Sequence, residues 1–70
     1  MQIYAVVYYG GTTHHKEDLK YFLSKDKAKE YLKDRIELYK DKHISWNSNR
    51  TCFIIDHSDQ IAIEKRNVVE

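Results

Sequence analysis

Apolar positions along this chain switch between two periods. Ile3-Tyr4-Ala5-Val6-Val7-Tyr8-Tyr9 is β-branched and aromatic on both alternating faces, which predicts a strand covered on both sides or central in a sheet. Gly10-Gly11 ends that run, and Thr12 to Asp18 reads as a polar loop. Leu19-Lys20-Tyr21-Phe22-Leu23 is short and mixed, and reads as a second strand. From Lys25 to about Lys42 there is no Gly or Pro, and Ala28, Tyr31, Leu32, Ile36 and Tyr39 recur at i, i+3, i+4 spacing. That spacing predicts one long helix with a buried stripe and Leu38 at its edge. Ser24 stands where a hydroxyl can accept from a free N–H of the first turn. Lys27 occupies the place where Glu or Gln would complete a capping box, and Asp26 suits the positive end of the helix dipole.

Arg35 is the one charge within the stripe; its stem can pack while the guanidinium reaches water or a carboxylate from the sheet. The opposite side is charged. Asp26–Lys29, Glu30–Lys33 and Glu37–Lys40 are i, i+3 pairs, each contributing about 0.2–0.5 kcal/mol. After the helix, His43 to Asn49 is polar, interrupted by Ile44 and Trp46. Thr51-Cys52-Phe53-Ile54-Ile55 reads as a buried strand, Asp56 to Asp59 as a turn, and Gln60 to Glu64 as the second strand of a hairpin. The expected architecture is a single α+β domain over residues 1–70, in the order β-β-α-β-β. One amphipathic helix would lie across one face of a mostly antiparallel sheet.

Size changes the picture first. With 70 residues and Cys52 as the only cysteine, the chain is limited to one small domain without an internal disulfide. Such scaffolds gain from good packing, self-association or a metal. Twelve Lys and Arg against eleven Asp and Glu give a formal charge of +1, which argues against a dedicated nucleic-acid binder or an acidic DNA mimic. The run from Ile3 to Tyr9 is too short for a bilayer span and lacks the flanks of a secretory signal. Together with the free thiol, this makes a soluble, cytoplasmic protein the expectation.

Candidate chemistry is sparse. Gly10-Gly11-Thr12-Thr13-His14-His15 could cradle a phosphate with backbone N–H groups, but no Gly-Lys-Ser/Thr follows it; a strand terminator and polar loop is the simpler reading. His14, His15, His43 and His57 could be metal ligands, yet no HxxxH or CxxC spacing supports a tetrahedral site, so no metal or cofactor is expected. Cys52 sits in an apolar run where a thiol behaves as a small hydrophobe. No catalytic set is recognisable, so the chain is not expected to be an enzyme. Lys29, Lys33 and Lys40 form one row on the helix, a solvated face or a phosphate-binding one. Nine aromatic residues exceed what a single-helix core of this size hides, and such residues recur at interface hot spots. Trp46 and one of Tyr8 and Tyr9 are the expected exposed members.

The strand Met1 to Tyr9, the run Tyr21 to Leu32 and the closing hairpin, in a Lys-, Tyr- and Ile-rich composition, resemble short reading frames of phages and prophages from AT-rich Gram-positive bacteria. The resemblance is one of style. It implies a small accessory protein that touches a host macromolecule, in some cases to block a defence system. A protein-binding module, an inhibitor or modulator of a host protein, is therefore the leading expectation. A nucleic-acid-binding protein using the Lys row and exposed tyrosines comes second, and a small-molecule or nucleotide sequestering protein third. Self-association as a homodimer, through a sheet edge or an aromatic patch near Trp46 or Tyr8/Tyr9, is also expected.

Overall fold

The two-sided apolar run becomes β1 (Gln2–Tyr9), the second strand of a five-stranded sheet in a computed structural model that describes residues 1–11 and 14–69. The other strands are β2 (Lys16–Phe22), β3 (Ile44–Trp46), β4 (Cys52–Ile55) and β5 (Asp59–Asn67). They lie in the order β2-β1-β5-β4-β3, every pair antiparallel. One helix, α1 (Lys25–Arg35), continues as a 3-10 helix over Ile36–Tyr39. It carries the chain from one sheet edge, β2, to the other, β3. The fold is α+β, but the order is β-β-α-β-β-β rather than β-β-α-β-β.

The extra strand is β3. Ile44 pairs with Ile55 and Trp46 with Phe53, so the apolar pair that interrupts a polar segment is the inward face of an edge strand. Three residues are too few for period-two alternation to stand out. β2 also begins earlier than its apolar residues suggest. Its register against β1 shifts between Val6 and Val7: Val6 faces Lys20 and Val7 faces Asp18. Leu19 is thus the extra residue of a β-bulge, half-buried against the core. Both edges discourage pairing with a further strand: β2 is bulged and charged, and β3 is short.

Ser24 is the N-cap, with extended backbone and its Oγ accepting from the Lys27 N–H at 3.4 Å. On α1, Ala28 and Leu32 are fully buried, while Tyr31, Ile36 and Tyr39 are partly covered. The helix tightens after Arg35; at three residues per turn Ile36 and Tyr39 eclipse each other, and Tyr39 meets the Phe53 ring at 6.2 Å. Arg35 donates to the Tyr31 hydroxyl at 3.4 Å rather than to a sheet carboxylate. Among the described residues the helical ion pair is Lys27–Glu30 at 3.9 Å, not the three pairs that spacing suggests. The core gathers Val6, Ala28, Leu32, Phe53, Ile55 and Ile61 between helix and sheet. No described helix is long and apolar enough to cross a membrane.

The opposite sheet face has no helix over it, yet Ala5 and Val7 are fully buried there. Register explains this. Asp18 lies beside Val7 on β2, and Arg66 lies beside Ile3 on β5. Arg66 donates to both Asp18 oxygens, at 2.6 and 3.0 Å, so the pair spans β1 above its small side chains. Tyr21 also donates to Asp18, and Arg66 approaches Glu64 at 3.4 Å. These hydrogen bonds, Arg66 first, pull the Asp18 carboxyl down to about 2 from an ordinary 3.8. A depressed carboxyl stabilises the fold above its unfolded pKa and loses that contribution as pH falls through the folded one. Melting temperature followed from pH 7 to 2 should therefore drop below about pH 4, and Asp18→Asn should start lower and fall less. Parallel curves would show that the pair does not hold this face.

Candidate functional site

A concavity is built by the loop between β3 and β4 facing one flank of α1. Asn47 organises that loop: its Oδ1 accepts from the Thr51 N–H at 2.9 Å and the Cys52 N–H at 3.2 Å, and its Nδ2 donates to Thr51 Oγ1 at 2.8 Å. Closing so tight a loop puts Arg50 in the left-handed region, φ 58°, where a non-glycine residue costs on the order of 1 kcal/mol or more. The same turn places the Arg50 guanidinium 5.3 Å from the centre of the Trp46 ring. Trp46 is held in turn by Phe53, ring centres 5.0 Å apart and tilted by 53°.

Across from this stack, Lys29 and Lys33 are one helical turn apart, with Ile36 just beyond. These side chains and Glu30 line a groove of about 470 Å³. Its wall is mostly carbon, from Trp46, Ile36 and the lysine stems. Its rim carries three cations and one carboxylate, a local excess of positive charge in a chain of net charge +1.

Three of the residues singled out in the sequence, Lys29, Lys33 and Trp46, thus come together. Trp46 is half-buried rather than freely exposed. Lys40 follows the 3-10 helix and does not line the groove. Arg50 carries no signal in the sequence; a cation four residues past a tryptophan becomes meaningful only once Asn47 has closed the loop.

No known family matches this chain. No curated protein and no solved structure matches it either.

The other sequence candidates lie elsewhere. Tyr8 packs against the core on the helix side, and donation of its phenol to the Asp59 carboxylate, followed by burial, raises its pKa. Tyr9 is on the opposite face with the Lys16 ammonium 5.6 Å from its ring centre. Both are half-buried; the aromatic most open to solvent is Tyr21, 53% exposed. His15 reaches Glu17 at 3.4 Å, and His14 is exposed with φ 54°. The phosphate cradle considered for Gly10 to His15 includes Thr12 and Thr13, which lie outside the described residues. The Gly10 N–H donates to the His15 carbonyl at 2.7 Å and the Gly11 N–H to Asp59 Oδ1 at 3.1 Å, so neither amide is open to an anion. Gly11 is needed for close approach: a Cβ there would stand 2.1 Å from the Ser58 carbonyl oxygen. His43 and His57 stack at 4.7 Å, and among the described residues no three His, Cys, Asp or Glu side chains group as metal ligands.

Replacing Arg50 with glycine separates strain from use. Glycine adopts positive φ without penalty, so Arg50→Gly should leave the stability measured by urea denaturation unchanged or raise it, by up to about 1 kcal/mol, as relief of strain offsets the added freedom of the unfolded chain. A clear loss of stability would mean that the Arg50–Trp46 contact holds the loop and is not available to a partner.

Proposed function

We propose that this chain is a non-catalytic protein-binding module whose docking site is the groove between α1 and the β3–β4 loop. The observation that carries the reading is Trp46 set with Ile36 in an open, mostly apolar groove with cations along its rim. A tryptophan fixed by a neighbouring ring has little side-chain entropy left to lose, the property that places it at interface hot spots. The resemblance to phage and prophage accessory proteins makes a host protein the partner to look for, with inhibition or redirection of that protein as the outcome.

The test is affinity capture of the tagged chain from a lysate of its host, with and without nuclease, beside the variant Lys33→Glu. A protein recovered in both conditions and reduced with the variant supports the reading. Recovery that disappears with nuclease would replace it by nucleic-acid binding, and equal recovery by the variant would move the site off the groove.

A further inference from the structure

We infer that the segment filling this groove is acidic, with one large apolar side chain seated between Trp46 and Ile36 and carboxylates at Lys29, Lys33 and Arg50; this rests on the protein-binding reading above. Size limits the occupant first. At about 470 Å³ the groove lies low in the range of roughly 300–1,000 Å³ that holds small ligands, so it seats one large side chain of a peptide, with that peptide's neighbouring residues at the rim, and not a folded surface.

Charge then selects among segments. Three of the six lining residues are cations. Lys29 and Lys33 are separated by roughly 6 Å of helical rise. Alternate residues of an extended peptide are spaced about 6.5 Å apart on one side, so carboxylates two positions apart meet both lysines. Arg50 closes the opposite rim. Glu30, paired to Lys27 at 3.9 Å, breaks the cationic line. A peptide accommodates that gap by placing its acidic residues only where the cations stand.

A nucleic acid fits less well. Its phosphates come at every nucleotide, so Glu30 meets one, and its bases need an open aromatic face on which to stack. The Trp46 ring has the Arg50 guanidinium over it and Phe53 tilted against it. A base would have to displace Arg50, whereas a carboxylate binds that same guanidinium where it lies. Arg50 also holds a backbone conformation that glycine would occupy without strain, so its side chain is present at a cost to the loop.

The chain has one tryptophan, so fluorescence at Trp46 reports occupancy of the groove directly. The probe is a displayed library of random peptides free of tryptophan, selected against the whole chain, with the enriched peptides titrated by Trp46 emission. The expected peptides are acidic with one Leu, Ile or Phe; they move Trp46 emission and lose roughly tenfold or more in affinity with Lys33→Glu, and several-fold with Arg50→Gly. Neutral or basic peptides that still move Trp46 would overturn the acidic assignment while leaving the groove as a protein site. If no peptide moves Trp46 but a single-stranded oligonucleotide does, or if dilution of the protein alone does because a second copy fills the groove, both this inference and the reading beneath it fall.

Discussion

Replacing Phe53 with alanine should lower stability by about 3–5 kcal/mol, which unfolds a large fraction of the molecules. Phe53 is the largest fully buried side chain. It pairs with Trp46 on one neighbouring strand and Ile61 on the other, and its ring meets both Tyr39 and Trp46. Truncation loses the transfer energy of the ring and opens a cavity where helix, sheet and groove wall meet. A 70-residue domain has a total of roughly 4–10 kcal/mol to lose, from about 0.05–0.15 kcal/mol per residue. Urea denaturation read at Trp46 measures the loss. Phe53→Leu should cost much less, because most of the volume is kept. A Phe53→Ala protein with the parent's midpoint would mean that the core lies elsewhere.

Leu32→Ala should cost about 2–5 kcal/mol. Leu32 is fully buried in the middle of α1, and α1 packs across β1, β2 and β5. An 11-residue helix is marginal by itself and depends on that packing. Leu38→Ala is the control: Leu38 is 68% exposed, and its removal should stay within about 0.5 kcal/mol. Equal losses for the two leucines would place the helix on the sheet through a different stripe.

Both leucines behave as periodicity requires, which shows where the sequence speaks clearly. Ala28 to Tyr39 repeats over several turns, and a long repeat identifies the helix and its buried stripe but not its end: the α-helix stops at Arg35 and the 3-10 turn at Tyr39, short of the expected Lys42. Interior β1 was equally plain, because a strand flanked on both edges and closed over on both faces is apolar at nearly every position. β3 was hidden by its length, and the start of β2 by the bulge at Leu19, where Lys16, Glu17 and Asp18 look like loop until register assigns them to a strand. The change from α to 3-10 geometry after Arg35 has no residue signal.

The candidate site was readable in halves. Lys29 and Lys33 stand out as a row and Trp46 as an aromatic in polar surroundings, but nothing local in the sequence joins them. They lie on elements brought together by the sheet order, which puts β3 at the edge reached by the end of the helix. Arg50 needed the Asn47 loop. The pair Asp18–Arg66 is 48 positions apart, and pairing across a third strand leaves no trace in spacing. The tyrosine surplus went mainly to structure: Tyr8 packs into the helix side and Tyr21 donates to Asp18.

The central claim is that a protein docks in the groove beside Trp46. Amide chemical shifts of the labelled chain, recorded as the captured partner is added, test it most directly. The account predicts that the largest shifts cluster over residues 29–36 and 46–50. Shifts concentrated instead at Tyr9, Lys16, Tyr21 and Arg66, on the far face of the sheet, would contradict it.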